Sequence, residues 1–90
     1  MAPNFHFFSK QTKNCLNLKL YGVFDGNSAF ELIHALLEQE TDPHKIFIDT
    51  SGLQTIHSFG RDVFQNNRCT LGRRSGRLIF IGKNKHQFAL

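Results

Sequence analysis

The apolar and polar residues of this 90-residue chain follow two different periods. From Cys15 to Tyr21 every second residue is leucine, which is the pattern of a half-buried strand. The short aromatic stretch Asn4–Phe8 is predicted to be an earlier strand, and the polar residues 9–14 between the two are predicted to be a turn. The pattern therefore predicts an opening β-hairpin.

Two later segments have apolar residues at helical spacing. The first begins at Ser28, where Ser28 and Glu31 have the spacing of a capping box, and it is predicted to end before Pro43. The second begins at Ser58 and fades near Leu71 and Gly72, a glycine suited to end a helix. We predict a helix in each segment.

Two short apolar runs, Lys45–Asp49 and Leu78–Ile81, are predicted to be strands buried on both faces. With a third helix beginning in residues 83–90, the order becomes ββαβαβ. This order predicts one α/β domain over residues 1–90, with a mixed, mainly parallel sheet of about four strands flanked by helices. The loops Gly22–Asn27 and Thr50–Ser58 follow parallel strands, at the edge where such sheets keep their binding sites.

The net charge of +4 is unevenly distributed. Residues 1–60 carry four lysines and six acidic residues, whereas residues 61–90 carry five arginines, two lysines and one acidic residue. Part of this excess falls in the predicted basic turn Arg73–Gly76. The second half of the chain therefore favours an acidic partner surface or a phosphate backbone.

Several classes of protein are disfavoured by what the sequence lacks. It has no signal-peptide pattern, and its longest aliphatic–aromatic run, Leu78–Ile81, is far too short to span a membrane. Cys15 and Cys69 form no CxxC pair, which favours reduced thiols and a cytoplasmic location. We find no metal-ligand spacing, phosphate-binding glycine loop or catalytic triad, and so expect a binding protein without metal or cofactor rather than an enzyme.

Two stretches resemble a known family. In Leu18–Asp25 an alternating strand is followed by Gly22 and then Asp25, and in Ile48–Gly60 an Asp-x-Ser is followed by Ser58 and Gly60. Both resemble STAS domains, the domains of bacterial anti-sigma-factor antagonists, over roughly residues 14–82. Related modules occur in sulfate transporters and in bacterial lipid-transport complexes. Compared with that family, the part of the domain after the fourth strand is shortened.

The resemblance implies a signalling protein that regulates transcription by docking an ATP-binding kinase, which doubles as an anti-sigma factor, or another ATPase. It places the phosphorylation site at Ser58, where the family usually has Asp in the position occupied here by His57. The implied partner-binding residues are Asp25, His57, Ser58, Phe59 and Arg61. The alternatives are that Ser58 is a plain helix cap and that Asp25 only holds its turn.

Three further alternatives remain open. One variant of the same class is an accessory subunit of a lipid-transport ATPase complex, since those relatives also bind an ATPase. A homodimer would complete the edge of a shortened sheet. Nucleic-acid binding is a weaker alternative, because single-strand binders interleave aromatic residues with basic ones and this basic segment does not. The residues for it would be Arg68, Arg73, Arg74, Arg77, Lys83 and Lys85.

Overall fold

The computed structural model describes residues 5–39 and 43–88. They form strands β1 (Phe5–Gln11), β2 (Cys15–Phe24), β3 (Lys45–Ile56) and β4 (Leu78–Ile81), helices α1 (Gly26–Leu37) and α2 (Ser58–Asn67), and 3-10 segments at Arg68–Arg77 and Lys85–Gln87. The predicted order of elements and the α/β class are confirmed.

The four strands lie in sequence order across one sheet. β1 and β2 are antiparallel, with Phe5 opposite Gly22, which confirms the hairpin. β2, β3 and β4 are parallel to one another, so that Leu16, Ile46 and Leu78 lie in one row. The sheet is therefore mixed and mainly parallel, as predicted.

The core lies between one face of the sheet and the two helices. Strand residues of this face pack with the apolar stripes of α1 and α2, and sixteen buried apolar residues of the described chain form one cluster. They are Phe5, Leu16, Leu18, Leu20, Phe24, Ala29, Leu32, Ile33, Leu36, Ile46, Ile48, Leu53, Val63, Phe64, Leu71 and Phe88.

The prediction that β3 and β4 are buried on both faces is wrong. Ile79 and Ile81 are each 37% exposed, and Phe47 is only half-buried. The parallel connections share one hand and the strands follow one direction, so both crossover helices lie on the same side of the sheet. The other face is left open.

Phenylalanines form the centre of the core. The Phe88 ring stacks on Phe80 at 4.8 Å between centroids and meets the edge of Phe24 at 5.0 Å. Phe24 also contacts Phe5 and Phe64, at 5.9 and 6.4 Å. The first and the last described residues thus meet at Phe24.

The predicted loops are much shorter than expected. β1 continues to Gln11, β2 continues through Gly22 to Phe24, and β3 continues through residues 50–56. Parallel pairing resumes after two register shifts, the second beside Gly22 with its positive φ of 93°. Only Asp25 and His57 separate these strands from their helices.

The second half also departs from prediction. α2 ends at Asn67 rather than near Leu71, and the predicted basic turn lies within a 3-10 segment that bends at Gly72. Of the predicted third helix, the structure shows a 3-10 turn at Lys85–Gln87, whereas Ala89 and Leu90 lie outside the described residues, as does Asn4 of the first predicted strand. Within residues 5–39 and 43–88, no helix has the length and apolar character to cross a membrane.

Candidate functional site

The N-termini of α1 and α2 meet at one edge of the sheet. β2 and β3 are parallel neighbours whose last residues, Phe24 and Ile56, lie opposite each other. Each strand is followed by a single residue and then by a helix, so the two helices begin side by side. A backbone hydrogen bond from His57 N to Phe24 O, 2.9 Å long, joins the two junctions.

Two glycines allow this close approach. A Cβ on Gly60 would lie 2.8–2.9 Å from backbone atoms of Phe24 and Asp25, and a Cβ on Gly26 would lie 2.8 Å from the Phe59 ring. The first turn of α2 therefore packs directly on the backbone at the start of α1. The resemblance to STAS domains included Gly60 in a motif without giving it a role, and it did not include Gly26.

Asp25 is the N-cap of α1. Its Oδ1 accepts a 2.9 Å hydrogen bond from Ser28 N, and the Ser28 hydroxyl lies 3.0 Å away while donating to Val23 O at 2.7 Å. The predicted capping box that begins at Ser28 is therefore wrong. Because β2 extends to Phe24, the helix starts two residues earlier and Ser28 is buried inside its first turn.

The electrostatic environment favours the ionised form of Asp25. The hydrogen bond from Ser28 N lowers the pKa of this carboxyl below its ordinary value, against a smaller opposing effect of burial, and the nearby His57 lowers it further. Asp25 is thus a fixed negative charge beside His57. The structure thus places two of the predicted site residues close together.

Ser58 is exposed at the first position of α2. His57 occupies the N-cap position, and its side chain makes no capping hydrogen bond with the described residues. Ser58 is therefore not the cap, contrary to that alternative. The first helical hydrogen bond runs from Arg61 N to His57 O, which leaves the amides of residues 58–60 without an acceptor in the helix.

Phe59 and Arg61 complete the predicted set. The Phe59 side chain is 68% exposed although its ring lies over Gly26. Arg61 is half-buried, and its Nη1 donates to Gln87 O at 3.2 Å. Arg61 therefore ties α2 to the end of the described chain. The exposed residues His57, Ser58 and Phe59 and the half-buried Asp25 form one surface, called the α2 surface below.

The Asp-x-Ser part of the resemblance has a different place. Asp49 Oδ1 accepts from Ser51 N at 2.9 Å, as expected for a carboxylate satisfied by nearby amides. Between them, Thr50 is buried, donates to Ile81 O and accepts from Asn84 N. This network fixes the chain that leaves β4. The sequence does not reveal this role, because Asn84 lies 34 residues after Thr50.

Much of the basic segment is used inside the molecule. Arg68 donates to Ser75 Oγ and O, Arg74 donates to Gln39 O, and Arg77 donates to Pro43 O. These guanidinium groups hold the 3-10 segment against the rest of the chain. Arg73, Lys83 and Lys85 are the exposed members of the predicted nucleic-acid set.

Comparison with known proteins identifies the fold. No family model and no curated protein matches the sequence. The crystal structure of Mglu is similar at a TM-score of 0.67 and 20% identity, over 81% of this chain and 18% of that one. An anti-sigma factor antagonist from Mycobacterium paratuberculosis is similar at 0.66 and 18%, over 90% of this chain and 70% of that one.

The chain thus spans less than a fifth of Mglu but most of the antagonist. At these identities the similarity shows the fold. The described residues have the fold of an anti-sigma factor antagonist, which confirms the STAS-like fold expected from the two motifs.

Proposed function

We propose that this protein is a signalling module that docks an ATP-binding kinase or ATPase through the α2 surface and is switched by phosphorylation of Ser58. The observation that carries the proposal is the exposed Ser58 hydroxyl at the start of a helix that is fixed against Asp25. The antagonist fold supports the same interpretation.

The docking part of the proposal depends on Phe59. A phenylalanine that is 68% exposed on a rigid helix offers a large apolar contact at little cost in side-chain entropy. The ring lies over Gly26, where the absence of a side chain leaves room for it. Aromatic side chains of this kind are enriched among the residues that dominate protein–protein binding energies.

The switch depends on charge. A phosphate on Ser58 would add about −1.5 to −2 charges beside the ionised Asp25. The free amides of residues 58–60 and the dipole of α2 stabilise that charge within the protein itself. The partner would then meet a strongly anionic surface beside the exposed Phe59 ring, so phosphorylation is expected to release it.

The test is comparative affinity capture from the cells that make the protein, with mass spectrometry of the partners and of Ser58. The wild type is expected to enrich an ATP-binding protein that Ser58→Asp and Phe59→Ala lose. Asn66→Asp, which adds the same charge two turns along α2, and Phe8→Ala, on the opposite side of the sheet, should retain it. Equal capture by all five proteins would rule out the α2 surface as the docking site.

A further inference from the structure

The sheet face that the helices leave uncovered, here called the open face, carries side chains from all four strands. They alternate with the core residues along each strand, as strand geometry requires. The side chains are His6, Phe8, Lys10, Cys15, Asn17, Lys19, Tyr21, Lys45, Phe47, Asp49, Ser51, Ile79 and Ile81.

One corner of the open face is an aromatic cluster. The His6 and Tyr21 rings stack at 5.1 Å with 11° between their planes, and Phe8 meets the edge of Tyr21 at 5.7 Å. Phe8 is nevertheless 63% exposed. The neighbouring rings hold Phe8 in place and leave most of its surface available to stack with a flat ligand.

Lysines surround this cluster. Lys19 on β2 lies directly opposite Phe8 on β1, and Lys10 lies two residues after Phe8 on β1. With Phe8, Ser9 and Asn17 they line a groove of about 330 Å³. Aromatic and basic side chains thus alternate on this surface, the pattern that the arginine-rich segment lacks.

The charge of the open face favours an anion. Lys10, Lys19 and Lys45 are all exposed on it. Asp49, the single acidic residue of this face among the described residues, lies opposite Lys19, so three lysines and one carboxylate leave an excess of positive charge. A ligand that fits must combine flat apolar groups with negative charges spaced along its length.

We propose that the open face binds single-stranded nucleic acid, with a base stacked on Phe8 beside the His6–Tyr21 pair and backbone phosphates at Lys10 and Lys19. Unpaired bases expose the flat surfaces that such a platform needs, whereas a duplex hides them. Four strands spaced about 4.8 Å apart span about 14 Å, room for two or three nucleotides. The open face lies on the other side of the sheet from α2, so the proposal is independent of partner docking.

Fluorescence anisotropy with labelled single strands of about 12 nucleotides, RNA and DNA, and with the same sequence as a duplex, tests the proposal. Single strands are expected to bind more tightly than duplex, with log K falling by about 0.7 per released phosphate for each unit of log salt. Phe8→Ala should weaken binding about tenfold. Lys19→Gln should reduce the salt slope by about 0.7.

Two controls separate this surface from the others. Phe59→Ala removes an equally exposed ring from α2 and should leave oligonucleotide affinity unchanged while it loses the captured ATPase. Arg73→Gln removes an exposed charge from the basic 3-10 segment and should also bind normally. Circular dichroism of each variant shows that it folds, which is expected because every substituted side chain is exposed.

Several outcomes would overturn the proposal. They are no binding at low salt, equal affinity for duplex, or an affinity lost with Arg73→Gln but kept by Phe8→Ala. Two measurements identify the competing occupants: flotation with vesicles of anionic phospholipid, and sedimentation for a second copy of the chain. If Phe8→Ala abolishes one of those interactions while wild type binds no oligonucleotide, the open face serves that occupant instead.

Discussion

Asp25 is a single residue that contacts both helices of the candidate site. Its carboxylate closes the first turn of α1 through Ser28 N, and its backbone is the surface on which Gly60 of α2 rests. It also supplies the fixed negative charge beside His57. The structure shows the helix-cap role of Asp25, and the proposed docking surface would use the same side chain.

Replacing Asp25 by alanine should lower the free energy of unfolding by about 1 kcal/mol at pH 7, the usual cost of losing an N-cap. The pKa of Asp25 is lowered in the folded protein. The stability that Asp25 contributes is therefore complete above its pKa in the unfolded chain, about 3.9. It is lost as the pH falls through the pKa in the folded protein.

Urea unfolding of wild type and Asp25→Ala between pH 7 and pH 2 measures this dependence. The difference between them should stay constant down to about pH 4 and then shrink. Asp62→Ala, which removes an exposed carboxyl from α2, is the control and should change stability by less than about 0.5 kcal/mol. A difference for Asp25→Ala that persists to pH 2 would contradict the assigned role.

At the scale of elements, the contact between α2 and the start of α1 depends on a missing side chain. Gly60 is buried, and any Cβ there meets the backbone of Phe24 and Asp25, which cannot rotate away. Gly60→Ala should therefore destabilise the protein by about 1–3 kcal/mol and displace Phe59. Thermal unfolding and partner capture measure the two effects.

Gly76→Ala is the matched control. A Cβ at Gly76 has no heavy atom within 4 Å, and its φ is not in the left-handed region. The free energy of unfolding of Gly76→Ala is expected to be unchanged or higher by up to about 1 kcal/mol, since alanine reduces the conformational entropy of the unfolded chain. If both alanine variants behave alike, close packing of α2 is not what Gly60 provides.

The strand ends show what the residue pattern can and cannot predict. The alternation in Cys15–Tyr21 and the start of α2 at Ser58 are evident from local residues. In residues 50–56 the alternation breaks around Gly52, so the pattern indicates a loop where β3 continues. Pairing with β2 holds this stretch in the sheet, and a single sequence does not show it. The same extension of β2 moves the α1 cap from Ser28 to Asp25.

At the scale of the whole molecule, Phe88 closes the core. It is 1% exposed and contacts the rings of Phe24, Phe64 and Phe80. Its carbonyl accepts from Gln65 Nε2, and that of Gln87 accepts from Arg61. These bonds hold the end of the described chain against α2.

Phe88→Ala should cost about 3–5 kcal/mol, a large part of the stability of a domain this size. Phe30→Ala, at a residue that is 55% exposed, should cost less than about 0.5 kcal/mol. Denaturant titration of both variants measures the difference. Equal midpoints would show that Phe88 is dispensable to the core.

The sequence predicts the order of strands and helices but not which surfaces stay open. The sequence pattern predicts Ile79 and Ile81 in the core, yet they lie on the open face because both helices pack on the other side of the sheet. Arg74 and Arg77 read as a basic surface, yet they donate to carbonyls more than thirty residues earlier in the chain. Both outcomes depend on contacts between distant segments, which local patterns do not encode.

The meeting of Phe5 and Phe88 at Phe24 has a consequence for synthesis on the ribosome. The core lacks its last ring until residue 88 has left the exit tunnel, so the emerging chain holds an unfinished domain with apolar surface exposed. Folding of the described residues is then completed only after Phe88 has emerged. Until that moment the apolar surface that Phe88 covers in the folded protein stays exposed on the nascent chain, where chaperones can bind it.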